Sequence, residues 1–300
     1  MIAAASRAML ARPAPALPDP REQRRFCSEA ARIAVGCLHT ELILYPKPGL
    51  VSLVDNGSHT DMTALTFMRS MFALRHYFAR ICRAGIDDAP FAVLKQLGIE
   101  AETSMLRATG GINTHRGAIF SLGMLCASIG RARAQGMALT ADGIRAIMLI
   151  RWGEELAAHT CPDGAQSHGL RVAATHAASG AREEGALGLP SVFEIGLPAM
   201  RRTLGAGRSM HHARIDALFA LMAHVSDTNV YHRGGAAGAS TVKRQATQFI
   251  AMGGTAHPDW RDYALECHRV LVAQKLSPGG AADLLAASCL VHAVTSGSLS

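Results

Sequence analysis

Five stretches of this sequence concentrate the side chains that can do chemistry. Residues 41–61 read ELILYPKPGLVSLVDNGSHTD, with Glu41, Lys47, His59 and Asp61 around two prolines. Pro46 and Pro48 stiffen an extended segment around Lys47, an ammonium point charge suited to phosphate. His59 and Asp61 stand two apart at a helix start, and Asp61 is the kind of carboxylate that shares Mg²⁺ with nucleotide phosphates. A plainer reading makes Asp61 a helix N-cap and Lys47 a solvated turn lysine. Residues 110–120 read GGINTHRGAIF. Two glycines let backbone approach a ligand closely. Asn113 or Thr114 caps the helix that follows, which puts His115 and Arg116 in its first turn. A helix start bearing an arginine is a ready phosphate site. Cations there oppose the helix dipole, and an anionic ligand would offset that. The plainer alternative is a glycine turn beside a surface arginine.

The other three stretches lie in the second half. Residues 167–192, SHGLRVAATHAASGAREEGALGLPSV, place Arg182 and Glu184 in a Gly-rich loop. Glu184 is a candidate general base or metal ligand, against the alternative of a surface Arg–Glu pair. Residues 226–240, SDTNVYHRGGAAGAS, offer Asp227 and Asn229 as oxygen ligands. Arg233 and the glycines then lead toward a further helix start, a second phosphate cradle. Residues 276–286, LSPGGAADLLA, read as mainly structural: Ser277 caps, Pro278 takes the first turn and Asp283 lies inside the helix.

Helices must position these stretches. Ala, Leu, Met and Gly are abundant and aromatics are only 5%, too few for an all-β chain. Apolar periodicity and caps predict helices near 21–44, 61–83, 88–108, 115–134, 141–158, 164–179, 190–204, 211–225, 239–252, 259–275 and 280–294. Thr60 or Asp61 caps the second, Asp88 the third, and Thr140 starts the fifth. No linker and no fixed-period repeat divides the chain of 300 residues. The expected fold is all-α: a single compact domain of about ten helices with Gly-rich polar connecting loops, over 21–300. The Ala/Pro-rich residues 1–20 read as a disordered tail.

Composition narrows the function. No charge-free apolar run of about 18 residues is present, so no membrane span is expected. Seven scattered cysteines without CxxC fit reduced thiols in a cytoplasmic protein. The net charge of +7 is dispersed over the chain without a basic block bearing interleaved aromatics, so a nucleic-acid partner is not expected. No GxxxxGK[ST], strand-linked GxGxxG, HExxH or GxSxG occurs.

The blocks YPKPGLVSLVDNGSHTDM, GINTHRGAIFSLG, HGLRV…GAREEGALGLPSV, DTNVYHRGG and SPGGAADLLA occur in that order from about 41 to 287. Together they resemble the triphosphoribosyl-dephospho-coenzyme A synthase family. GLVSLVDNGSH departs from the pattern of its citrate lyase branch, and Arg116 stands where Lys is frequent there. Both features resemble the malonate decarboxylase branch. GAREEG stands where family members often read GARGEA, so Glu184 and Arg182 match while Glu183 does not. The resemblance implies that the 2′-hydroxyl of 3′-dephospho-CoA attacks C1′ of the ATP ribose and adenine leaves. The product, 2′-(5″-triphosphoribosyl)-3′-dephospho-CoA, is the prosthetic-group precursor passed to the transferase and acyl-carrier subunit of the decarboxylase.

That chemistry passes through an oxocarbenium-like state and needs a base for the incoming hydroxyl. The implied roles are Asp61 and Asp227 on Mg²⁺, with Lys47, Arg116, Arg182 and Arg233 on phosphate. Glu41 or Glu184 is the base, assisted by His59 or His115. Asn113, Thr114 and Asn229 position ribose or phosphate. Alternatives at this level are an Mg²⁺-dependent ADP-ribosyl-type hydrolase, the citrate lyase counterpart and, from the net charge of +7, a non-catalytic helical nucleotide or nucleic-acid binder. An Ala/Leu-rich helical chain of low charge is also compatible with a homodimer.

Overall fold

Asp19 caps the first helix: its Oδ1 accepts from Arg21 N at 3.0 Å, with Pro20 in the first turn. The computed structural model describes residues 19–158 and 184–299, and every regular element among them is helical. Helix α1 spans Pro20–Ile43, α2 Ala64–Ile86, α3 Phe91–Thr109, α4 Arg116–Ala134 and α5 Ala141–Ala158. A π-helical turn, Ser191–Gly196, runs directly into α6, Leu197–Gly205. Then come α7 (Met210–His224), α8 (Thr228–Ala251), α9 (Trp260–Ala273) and α10 (Gly279–Ala293). Of the tail expected over residues 1–20, residues 1–18 lie outside the described residues, as does the helix expected at 164–179, while Asp19 and Pro20 belong to the start of α1.

Several helix starts differ from expectation, each for a local reason. Thr63, not Thr60 or Asp61, caps α2, in a reciprocal capping box with Thr66. Asp88 does not cap α3, which begins after Pro90. Asp88 instead takes a left-handed backbone (φ 55°) and pairs with Arg151 of α5 at 2.6 Å and Arg131 of α4 at 3.0 Å. Helix α8 starts eleven residues earlier than the pattern indicated, because Asp227 caps it. Gly235, at φ 58° and ψ −156°, interrupts the helical backbone, so α8 is two helical stretches joined at a kink, the second of which holds the helix expected at 239–252. Thr140 does start α5, accepting from Gly143 N at 3.1 Å.

Packing places α10 on the axis. It lies against α1, α4 and α7, and Ala281, Leu285, Ala286, Ala287, Leu290 and Val291 are buried. An apolar surface on all sides suits a helix enclosed by others. Helix α2 packs on α1, α3 and α4. Its crossing with α4 is close: a Cβ on Gly85 would stand 1.9 Å from the Ala127 carbonyl oxygen, and one on Gly130 2.1 Å from that of Cys82. One continuous apolar core joins these elements into a single compact domain. Cys27, Cys37, Cys82, Cys126, Cys267 and Cys289 are free and buried in it. Among the described residues no helix is long and apolar enough to cross a membrane.

Candidate active site

Four helix ends meet at one end of the bundle: the C-terminus of α1 and the N-termini of α4, α8 and α10. Turns 44–63 and 110–115 close the space between them, leaving a cavity of about 670 Å³. A second lobe of about 260 Å³ opens beside it and shares Arg116, Gly117, Thr228, Gly280 and Asp283 with it. The lobe's other walls are largely apolar, with Phe120, Leu156, Leu189, Val225 and Leu284. Every candidate from the sequence that lies among the described residues lines this cleft. Glu41, Lys47, His59, Asp61, Asn113, Thr114, His115, Arg116, Asn229 and Arg233 line the larger cavity, and Glu184 and Asp227 the lobe. Arg182 lies outside the described residues.

Lys47 is not a solvated turn lysine. Its side chain is 1% exposed, and Nζ donates to the Glu41 carbonyl oxygen at 2.8 Å and to Glu41 Oε1 at 2.7 Å. Burial lowers its pKa, while the Glu41 carboxylate pulls the other way. The turn carrying Lys47 is pinned to α9 and its exit: Gly49 N donates to His268 Nδ1 at 3.4 Å, and Ser58 Oγ donates to the Leu276 carbonyl oxygen at 2.5 Å.

His59 sits between two partners. Arg233 Nη2 donates to its Nδ1 at 3.0 Å, so the proton of the neutral ring is on Nε2, which donates to Ser277 Oγ at 2.8 Å. Burial, and then the Arg233 guanidinium, lower the His59 pKa. Arg233 also donates to the Ser58 carbonyl oxygen at 3.1 Å. Ser277 therefore faces His59 and does not cap α10. Asp61 is not a helix cap either. It is 55% exposed at the cavity mouth, 3.7 Å from His59 Nδ1.

At the start of α4, Asn113 Oδ1 accepts from Arg116 N at 3.1 Å. The Arg116 side chain is 58% exposed, and its guanidinium pairs with Glu102 of α3. His115 lies just before the first turn, not in it, and is 2% exposed. Its Nδ1 is 2.6 Å from Ser70 Oγ of α2. Its Nε2 is buried without a hydrogen-bond partner among the described residues, as is Thr114 Oγ1. Burial, and then Lys47, push the His115 pKa down to about 3.

Two carboxylates occupy helix N-termini, and one of these, the start of α4, is where the sequence reading put a phosphate. Asp227 Oδ1 accepts from Asn229 N at 2.9 Å and Val230 N at 3.4 Å, while Oδ2 accepts from Ala281 N at 3.2 Å. One side chain thus holds the starts of both α8 and α10. Burial raises its pKa against these N–H groups. Asp283 accepts from Ala118 N at the start of α4. Burial first, and then the charges of Glu41 and Asp227, raise its pKa well above the carboxylate range. A Cβ on Gly117 would stand 2.3 Å from Asp283 Oδ2, so glycine makes room for this carboxylate. Glu184 accepts from the Ser191 hydroxyl and, at 3.2 Å, from Ser191 N; burial raises its pKa against both.

The sequence reading missed two participants. Asp283 had a signal, as the only acid in an otherwise apolar helix. Ser70 had none, being one more small residue on a buried face. No group of three or more His, Cys, Asp or Glu side chains that could hold a metal is present among the described residues.

Comparison with known proteins bears on what this cleft binds. Residues 27–299 match the CitG family model, described as ATP:dephospho-CoA triphosphoribosyl transferase. The chain is 40% identical over 274 residues to a probable 2-(5″-triphosphoribosyl)-3′-dephosphocoenzyme-A synthase of Pseudomonas putida, covering 87% of this chain and 92% of that one. It is 38% identical to the probable synthase of Acinetobacter calcoaceticus, over 84% of this chain and 86% of the relative. It is also 38% identical to the synthase of Pectobacterium atrosepticum, with 85% of each chain covered. No solved structure matches.

Proposed function

The chain belongs to the ATP:dephospho-CoA triphosphoribosyl transferase family, and from that premise we propose how its cleft joins ATP to 3′-dephospho-CoA. The family activity is that of a triphosphoribosyl-dephospho-CoA synthase, a transferase. The observation that carries the site assignment is convergence: residues from five separated stretches line one continuous cleft.

The triphosphate takes the mouth, where Arg233, Arg116 and Asn113 lie beside Asp61. Asp61 fits an Mg²⁺ ligand: it is exposed and free of backbone caps, with phosphate oxygens and water left to complete the shell. Bound there, the ion would neutralise triphosphate charge. Asp227 fits less well, because its oxygens already hold two helix starts. Glu184 is the base for the 2′-hydroxyl. Its raised pKa brings it toward the working pH, and it borders the apolar lobe that would receive part of dephospho-CoA. Glu41 serves Lys47, and Thr114 and Asn229 orient ribose and phosphate.

The malonate decarboxylase branch is favoured by GLVSLVDNGSH and by Arg116. The deciding assay supplies ATP, Mg²⁺ and 3′-dephospho-CoA, then measures adenine and the CoA-derived product by mass spectrometry. Adenine appearing one-for-one with the triphosphoribosyl adduct is expected. Adenine without adduct would indicate hydrolysis, and neither would indicate a binding protein. Glu184→Gln should lose turnover and keep ATP binding. Supplying the product, with the transferase, to the acyl-carrier subunit of malonate decarboxylase or of citrate lyase tests the branch.

A further inference from the structure

His115 carries the one buried imidazole nitrogen in the cavity that has no partner. Ser70 determines which kind of atom that nitrogen is. Ser70 is fully buried in the middle of α2. Ser121, Ser128 and Ser288, also in helices, donate to the carbonyl four residues back. Ser70 has no such bond, and its hydroxyl meets His115 Nδ1 at 2.6 Å. A buried hydroxyl hydrogen needs an acceptor, and Nδ1 is the one within reach. Ser70 therefore donates, Nδ1 accepts, and in the neutral ring the proton sits on Nε2. His115 thus presents an N–H donor in a dry site. An unmet donor there is costly until a ligand supplies an acceptor.

The surroundings say which acceptor. The Phe67 ring meets the imidazole edge-on, with centroids 5.0 Å apart. Met62, Leu50, Val51 and Ile112 line the same cavity. Lys47, the nearest cation, already gives two hydrogens to Glu41. The arginines lie elsewhere, Arg116 paired with Glu102 and Arg233 spanning Ser58 and His59. A phosphate would find its charge partners at the mouth; a flat, neutral, nitrogen-bearing ring would find apolar walls and one neutral donor at His115.

We infer that His115 Nε2–H donates to a ring nitrogen of the ATP adenine, and that Ser70 is the positioning residue that holds the imidazole in that tautomer. The inference rests on the transferase reading above. During transfer the C1′–N9 bond breaks and its electron pair goes to adenine. C1′ bonds to the 2′ oxygen of dephospho-CoA, and the proton lost by that hydroxyl balances the one adenine acquires. His115 keeps its own proton and steadies charge building on the departing ring, the role a neutral imidazole can play as an electrophile.

Nitrogen-15 NMR of histidine-labelled full-length protein tests this, with the His115 signals assigned by their loss in His115→Phe. The expected result is an Nε2-protonated neutral ring whose Nε2 signal moves with ATP and not with inorganic tripolyphosphate. Equal movement with tripolyphosphate would make phosphate the partner, and an Nδ1-protonated ring or no movement would equally overturn the inference. Ser70→Ala should leave a mixture of tautomers; an unchanged tautomer would remove Ser70 from the account.

Turnover supplies the second readout. One of 7-deaza-ATP and 3-deaza-ATP should lose about 10- to 100-fold in kcat relative to ATP. That ratio should shrink about tenfold or more in His115→Phe and partly return in His115→Gln, which restores an N–H donor. An unchanged ratio overturns the inference even if the transferase works. If no adduct forms, the transferase reading fails, and the ATP-binding NMR still decides the role of His115.

Discussion

At the residue scale, burial gives the cleft its chemistry. His115 ionises in the unfolded chain near its ordinary pKa of about 6.5, but in the fold that value falls to about 3. Between the two, the folded state binds fewer protons. The stability this supports is present above about pH 6.5 and lost as pH falls. By about pH 5 the loss reaches about 2 kcal/mol. Urea midpoints of the wild type and His115→Phe at about pH 7 and 5 should show the variant losing less on acidification; parallel losses would refute a buried neutral imidazole. Lys47 is a different case. Lys47→Met leaves Glu41 buried and unpaired, which should cost about 3–5 kcal/mol in chemical denaturation. The double change Lys47→Met with Glu41→Leu should regain part of that. A Lys47→Met variant as stable as wild type would mean that the pair is open to water.

At the element scale, the unusual feature is a carboxylate that serves two helices. An N-cap ordinarily satisfies N–H groups of its own helix. Asp227 does so for α8 and also accepts from Ala281 N, 54 residues away at the start of α10. Asp227→Ala should therefore cost about 1–4 kcal/mol, the loss of roughly two caps, read from urea unfolding. Because α10 carries Asp283, activity should fall further than the stability change implies. If catalysis survives while stability drops, Asp227 is a joint of the fold alone. If stability survives while Mg²⁺ dependence disappears, the metal role expected from the sequence is the correct one.

At the scale of the whole molecule, substrate binding should stabilise the fold, because the cleft is assembled from parts that are distant in the chain. ATP with Mg²⁺ at about 100 times its Kd should add about 2.7 kcal/mol, seen as a rise in thermal midpoint that tripolyphosphate reproduces in part. No rise with either would argue against a preformed nucleotide site. The sequence by itself determined the helical class, most helix spans and the five polar breaks, because periodicity and capping act over three or four residues. It also marked most of the polar residues that line the cleft, since Gly, Asn, Asp and Arg clustered between helices are chemically conspicuous, but not Thr228, His232 or the role of Asp283. Tertiary structure alone decided the rest. It placed Ser277 on His59 across 218 positions, gave Asp227 to α10, buried Lys47 against Glu41 and turned Ser70 onto His115. None of these partners is within a helical turn of the other. Which polar group is desolvated, and which hydrogen bond satisfies it, depends on what packing brings alongside, and local sequence does not record that.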